Sequence, residues 1–499
     1  MPTTCQMLLM GMFGIFYFFG ILKKLFDFWG LETRNEAFCY IDLLKKVVEH
    51  KLGGFREMLV IAVPIVVSQS CDTLMVVTDR FFLSKLGAVQ MNAVMAGGLS
   101  SYLMVCFFTG IIGFSTALIG QYLGAQRKDM CTKTATQSFL LALVAYPLVL
   151  WMRPLAYSLF DFLGLSAEQM SYQKGYFDIL VYGSILGLWR AVLYSYFSGI
   201  GRTRIIMIST LMAMLVNVGV NYIIIFGRLG FPALGIRGAA YGTLLGGFVG
   251  LLVLLFAYFG KDNRTAFAVF SSFALRLKVM GKLLRFGTPP GVEQLLNMLA
   301  FNSIVLIFQS HSDVSASAAS IVFSWDMVSF VPLIGVQIAV TSLVGRYMGA
   351  LRPDLAEKTA MSGLKLGAIF SFFVFVMFLF FPAMLVDVFS PQTYDAVFEQ
   401  ARPLAIFMVQ IAAIYVTVEA AVATFVGVLR GAGDTLFAMV LSTTMHWAMA
   451  IAIYVTLNKL DGTPQLAWII SVSTFFVMGL VFYFRFRSGR WKAITMVGK

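Results

Sequence analysis

The sequence predicts an all-α polytopic membrane protein in which twelve transmembrane helices form two six-helix lobes. Three observations carry that reading: the composition, the recurrence of long apolar stretches, and an internal repeat. The 499 residues are 59% hydrophobic and 12% charged, with a mean hydropathy of +0.85, whereas soluble domains are about one-quarter charged. Apolar runs of about 20 residues recur along the chain, each enough to cross about 30 Å of hydrocarbon as a helix. Strands of a membrane barrel would alternate apolar and polar residues over about ten positions, and no such alternation is visible.

From Arg56 onward the spans are expected at 57–83, 90–117, 132–153, 172–198, 205–227, 238–260, 281–310, 314–345, 358–386, 400–429, 435–457 and 465–486, each bounded by charges, Gly or Pro. With the first loop external, 27 Lys/Arg fall on the inner side and 7 on the outer, and Arg80, Arg190 and Lys365 lie within spans. The positive-inside rule then puts both ends of the twelve-span body in the cytoplasm of a multi-pass cytoplasmic (inner) membrane protein. The stretches "DFLGLSAEQ" (161–169) and "DVFSPQTYDAVFEQ" (387–400) are acidic and nearly free of Lys and Arg, as outer loops should be. The same rule accounts for the net charge of +13 without nucleic acid, which is not expected as a partner.

Residues 1–56 form an N-terminal extension. Its "CQMLLMGMFGIFYFFGIL" (5–22) is apolar enough for an extra, peripheral transmembrane helix, and it lacks the basic n-region and A-x-A site of a cleaved signal. The alternatives are a helix lying on the membrane surface and an over-long start. The five cysteines are Cys5, Cys39, Cys71, Cys106 and Cys131; odd in number and without a CxxC, they point to neither a disulfide framework nor a zinc site and read as small apolar residues.

The repeat is the most specific signal. "STALIGQYLGAQRKDMCTKTA" (115–135) lies over "VTSLVGRYMGALRPDLAEKTA" (340–360) at an offset of 225, with about half the positions identical. The same offset places Pro64 on Pro289, and a slightly larger one places "GIGRT" (199–203) on "GAGDT" (431–435). An N-lobe (57–260) and a C-lobe (281–488) follow, joined by a cytoplasmic linker (261–280) and followed by a tail (489–499). Six spans per half give both halves the same orientation, so their pseudo-twofold axis runs along the membrane normal, as in transporters that rock two lobes about a central site.

Charged groups at membrane depth cost roughly 2.5 to 3.5 kcal/mol each on insertion scales and usually mark a pathway or binding site. Asp72 and Asp79 sit seven residues apart in the first span, within about 20° of each other on an ideal helix. Asn217 and Asn221 share a face of the fifth span, and Thr243 in "GAAYGT" adds a hydroxyl. A Na⁺ ion held by Asp79, Asn217, Asn221 and Thr243 would suit a hard cation's demand for oxygen; interhelical hydrogen bonding accounts for the two asparagines equally. The second half contributes Glu293, Asp326 and Glu419. Burial disfavours a charged carboxylate and a bound cation favours it, so competition for one carboxylate makes an antiport switch. Lone His446 reads as a hydrogen-bonded packing residue. The 48 Phe and 28 Met suit a pliable cavity for hydrophobic cations, though most face lipid or fill helix contacts.

Pro64 with "DRFFLSKLG" (79–87), "LIGQYLGAQ" (118–126), "LVGRYMGAL" (343–351) and "LRGAGDT" (429–435) resemble the recurrent motifs of the MATE (multidrug and toxic compound extrusion) family, over nearly the whole chain after residue 56. The resemblance implies two six-helix bundles forming a V and an antiporter that exports organic, often cationic or amphiphilic, compounds against inward Na⁺ or H⁺ by alternating access. It matches Asp79 to the family's first-helix acid and Glu419 to the acid of the tenth helix. The pair Asn217 and Asn221 departs from the Asn followed by Asp found in members with an N-lobe cation site, and Asn297 stands where the seventh helix usually carries its acid, one turn past Glu293. Cation coupling is therefore expected at Asp79, Glu419, Glu293, Asp72, Asp326, Asn217, Asn221 and Thr243, and substrate contact at Asp79, Glu293, Asn297 and Glu419. The expected partners are small organic substrates and the lipid bilayer, the chain is expected to act as a monomer, and no cofactor beyond the coupling ion is expected. A flippase for lipid-linked oligosaccharide shares the fold and would want basic residues in the cavity, for which Arg80, Arg190 and Lys365 are available. A membrane enzyme is the remote alternative: the chain has no G-x-x-x-x-G-K-[ST] loop, no H-E-x-x-H and only three His.

Overall fold

The computed structural model describes residues 52–162, 167–391, 394–494 and 496–497. Every regular element among them is helical. The apolar stretch 5–22 and cysteines Cys5 and Cys39 lie outside the described residues.

The first half contains α1 (Phe55–Ser84), α2 (Ala88–Gly124), α3 (Lys128–Trp151), the short α4 (Arg153–Phe162), α5 (Ala167–Tyr182), α6 (Ser184–Gly199), α7 (Thr203–Phe226) and α8 (Gly235–Phe259). The second contains α10 (Leu277–His311), α11 (Asp313–Gly349), α12 (Pro353–Phe380), the short α13 (Pro382–Asp387), α14 (Ala396–Ala432), α15 (Thr435–Asn458) and α16 (Pro464–Arg487). Between them α9 (Lys261–Phe267) and a 3₁₀ turn (Val269–Ser272) fold the linker against α3. Among the described residues eleven helices are long and apolar enough to cross a membrane, and α5 with α6 makes a twelfth span bent by 48°. The span expected at 172–198 is thus broken at Gly183, where a Cβ would overlap Leu244 of α8. This is a multi-pass membrane protein.

Helix limits follow local chemistry. Ser312 caps α11 by accepting from the Ser315 N–H, Asp395 caps α14 through Val397 and Phe398, and Thr463 caps α16 with Pro464 in its first turn. Gly227, at φ +66°, ends α7 in the left-handed conformation.

Each lobe has its own core: Ile112, Tyr196, Phe197 and Tyr258 in the first, and Phe308, Val322, Met408 and Trp468 in the second. A third core joins the halves, with Met58, Ile61 and Ile65 of α1 against Val336, Val340 and Leu343 of α11 and Leu429 of α14. Cys71, Cys106 and Cys131 are buried free thiols.

The two repeated segments meet across the pseudo-twofold. At Gly120 a Cβ would lie 2.9 Å from the Ser342 carbonyl oxygen, and at Gly345 one would lie 2.8 Å from that of Ala117. At Gly124 a Cβ would overlap the Arg346 carbonyl, and at Gly349 that of Gln121. All four pairs relate by the offset of 225, so α2 and α11 cross backbone to backbone through two G-x-x-x-G faces. Gln121 donates to the carbonyls of Gly431 (3.1 Å) and Ala432 (3.4 Å) at the end of α14, and Arg346 to that of Ile200 (3.4 Å) just beyond α6. Tyr347 donates to Glu57 at 2.5 Å, and Ser342 to the Ser198 carbonyl at 2.6 Å.

Away from this crossing the lobes diverge. Val66 touches Gly335 across the lobe boundary. Val77 and Val328 lie eleven residues after Val66 and seven before Gly335, each within about 20° of the same helix face, yet they are 46% and 52% exposed. The facing surfaces of α1 and α11 have separated by that height, and the molecule is a V closed at the G-x-x-x-G end.

Gly124→Leu and Gly349→Leu each place a side chain where a carbonyl now sits, so the lobes should be held apart at this end. Spin labels at the exposed Lys128 and Asp354 should report a longer distance in both variants than in the parent; an unchanged distance would contradict the crossing.

Candidate functional site

In the N-lobe, α1, α7 and α8 bring four of the expected residues together. Glycines at every fourth position of α8 make this possible: Gly238, Gly242, Gly246 and Gly250 turn one bare face to α7. A Cβ at Gly246 would lie 2.6 Å from the Ala213 carbonyl oxygen, and one at Gly242 would overlap the Asn221 side chain. This stripe is a signal the motif reading passed over, and it sets the depth at which Asn217 and Asn221 sit.

Asp79 is 5% exposed. Its Oδ1 accepts from the Asn221 amide at 2.5 Å and its Oδ2 from the Thr243 hydroxyl at 3.0 Å, while the Asn217 amide donates to Thr243 at 3.4 Å. The adjacent Arg80 is exposed, and the hydrogen bonds to Asp79 come from neutral groups. Asn217 Oδ1 and Asn221 Oδ1 are buried without a partner among the described residues. One carboxylate, two amides and a hydroxyl thus form one buried cluster, in which the amides turn their N–H groups to Asp79 and Thr243 and Asn221 Oδ1 lies against Gly242.

Asp72 does not join this cluster. Its Oδ1 accepts from Arg190 Nη2 of α6 at 2.6 Å, and one turn below it Tyr194 donates to Gln69 at 3.1 Å. The shared face of α1 therefore carries two carboxylates with different partners, and Arg190, a candidate basic group for a flippase, is already matched to an acid. Lys365 is exposed.

The C-lobe acids divide again. Glu293, 3% exposed, accepts from Arg430 Nη2 at 2.9 Å. That arginine belongs to "LRGAGDT" at the end of α14. One turn along α10, Asn297 donates to Ser442 Oγ of α15 at 2.8 Å, and His446 Nδ1 meets the Ser442 carbonyl at 2.7 Å, so His446 is tied to the backbone of its own helix. Glu419 Oε2 of α14 and Asp326 Oδ1 of α11 are buried with no hydrogen-bond partner among the described residues. A buried carboxyl oxygen without a donor is costly as an anion, so this pair calls for a proton or a cation. Among the described residues no group of three or more His, Cys, Asp or Glu is gathered for a metal. The expected coupling residues thus occupy two lobes in separate clusters.

A model of the MatE family matches residues 64–223 and 289–455, two blocks that begin at Pro64 and Pro289. The chain belongs to the MatE family. Relatives of this MatE protein include "Probable multidrug resistance protein NorM" of Thermotoga maritima, 26% identical over 88% of this chain and 93% of the relative, and the protein of the same name from Bacillus subtilis, 23% identical over 82% and 89%. Solved structures share the fold. A MOP superfamily transporter from Pyrococcus furiosus superposes with a TM-score of 0.81 at 19% identity, covering 89% of this chain and 97% of that one. A multidrug resistance MATE family transporter in an outward-facing conformation gives 0.81 at 20% identity, with the same coverage.

Glu293→Gln leaves Arg430 without its anion at a site where the acid is buried. The expected loss is roughly 1–3 kcal/mol, read as a lower thermal unfolding midpoint in detergent. Glu293→Gln combined with Arg430→Met should recover part of it, because no charge is then stranded.

Proposed function

We propose that this MatE transporter exports organic cationic or amphiphilic compounds in exchange for inward H⁺ or Na⁺, with the V alternating between outward-open and inward-open forms. The observation that carries the reading is Asp79: a buried intramembrane carboxylate whose hydrogen bonds come from neutral donors, Asn221 and Thr243. Such a group can exchange a coupling ion for a cationic substrate without breaking an ion pair. The relatives named as probable multidrug resistance proteins support the substrate class. Glu419 with Asp326 forms the second exchangeable site, in the C-lobe.

The distribution of Lys and Arg supports a cytoplasmic position for the glycine crossing, which makes the V open outward across a cytoplasmic (inner) membrane. The protein works as a monomer in this reading, because each lobe carries its own acids and the cleft lies within one chain. The flippase alternative is weakened by the pairing of Arg190 with Asp72 and of Arg430 with Glu293, which leaves neither guanidinium free for a pyrophosphate.

In proteoliposomes, dye efflux should respond to an imposed Na⁺ gradient or to an imposed pH gradient; a response to neither would favour the flippase. Asp79→Asn and Glu419→Gln should each reduce efflux to the level of protein-free liposomes at undiminished expression, and wild-type efflux in both would sink the assignment. Asn221→Asp, which sets a second carboxylate beside Asp79, should lower the Na⁺ concentration that gives half-maximal efflux.

A further inference from the structure

At the end of the molecule that holds the glycine crossing, α10 and α15 flank a groove of about 550 Å³ that the exchange just described leaves unused. Leu284 and Val292 of α10 and Leu436 and Met439 of α15 make it apolar, and Arg285 and Thr288 are its polar members. Its level is fixed by Lys282, one turn before Arg285, whose ammonium lies 5.8 Å from the ring centre of Tyr122, a residue between Gly120 and Gly124 of α2. Leu284 and Leu436 are 39% and 61% exposed. The lobes are closed on each other at this end, so a surface exposed here faces lipid and not the cleft.

The charge at this level is of one sign. From Arg264 to Val292 the sequence holds Arg264, Arg276, Lys278, Lys282 and Arg285 and no acid, and α15 carries no acid along its length. Arg127 shares the Tyr122 ring with Lys282, at 5.7 Å, so two like charges meet at one buried tyrosine. Asp434, just before α15, is taken by Arg485. Among the described residues no ion pair reaches Arg127, Lys282 or Arg285, and Arg285 lies over the Phe286 ring at 5.6 Å.

An apolar groove beside unmatched cations fits a molecule with an anion at its head and hydrocarbon behind it. A phosphodiester suits the planar fork of Arg285 through charge-assisted hydrogen bonds, with Lys282 adding a point charge one turn away, and an acyl chain is stabilised by burial against Val292 and Met439. Basic pockets between helices on the cytoplasmic side of membranes take anionic head groups in this way, and this end is cytoplasmic in the reading above. A zwitterionic lipid offers the same phosphate but brings its own ammonium into a field that is already positive.

We propose that the groove between α10 and α15 is a binding site for one anionic phospholipid, with its phosphate on Arg285 and Lys282 and an acyl chain between the two helices. Binding is read on the purified protein, so the test does not depend on export. The full-length protein in detergent is titrated with dioleoyl phosphatidylglycerol, dioleoyl phosphatidylcholine or inorganic phosphate, and bound molecules are counted by native mass spectrometry.

One phosphatidylglycerol should bind about tenfold or more tighter than phosphatidylcholine. Arg285→Gln, at an exposed position, should bring the two lipids within about twofold of each other. Lys459→Gln, which removes a charge just beyond the far end of α15, should change neither. Met439→Trp fills the groove without altering any charge and should weaken phosphatidylglycerol as much as Arg285→Gln does. Equal affinities for the two lipids in the parent, or a preference that survives Arg285→Gln, would overturn the site. Binding that survives Met439→Trp would put the lipid elsewhere, and displacement by inorganic phosphate would assign the cations to a free anion; either result overturns the proposal.

Discussion

The structure depends on two helices crossing at van der Waals contact of their backbones. Gly120 and Gly124 of α2 meet Gly345 and Gly349 of α11, and a methyl group at either Gly124 or Gly349 would already overlap a carbonyl. Within a membrane, helices gain little from hiding apolar surface from each other, since lipid is as apolar as leucine. Close backbone packing and interhelical hydrogen bonds supply the adhesion instead. The crossing concentrates that adhesion at one end, and Gln121 and Arg346 extend it by reaching the carbonyls at the ends of α14 and α6. A second close approach, Gly110 of α2 against Gly291 of α10, lies further along the lobe boundary, and the V stands open only beyond it, where Val77 and Val328 are exposed.

Repeat symmetry governs the frame but not the chemistry. The crossing obeys the pseudo-twofold residue for residue, while the acids do not. Asp79 is held by an amide and a hydroxyl, Asp72 and Glu293 by guanidinium groups, and Glu419 and Asp326 keep buried oxygens with no donor. These five carboxyl groups therefore have three kinds of surroundings. A carboxylate matched by arginine is neutralised within the protein, whereas one matched by neutral groups, or by none, keeps its response to ions from outside. The lobes can thus divide labour while moving as a symmetric pair.

Much of the frame was legible because it is written locally. Apolar length announces a span, and the offset of 225 announces two like-oriented halves. The spacing of Asp79 from Pro64 and the i, i+4 pair of Asn217 and Asn221 pointed to residues that the fold gathers around one carboxylate. The bend at Gly183 escaped notice, since hydropathy runs on through it. The glycine stripe of α8 was also in view, and only its contact with α7 gives it meaning.

The sequence by itself determined that the chain spans a membrane, that it does so as two related six-span halves, and which acids lie at membrane depth, because each of these follows from local composition or from self-comparison. Only the tertiary structure decided which acids are already paired. Arg190 lies 118 residues from Asp72, and Arg430 lies 137 from Glu293. No periodicity links residues on helices so far apart in the chain. Whether a carboxylate meets a guanidinium, an amide or another acid is set by how helices pack, and that pairing separates the acids open to exchange from those that hold an arginine.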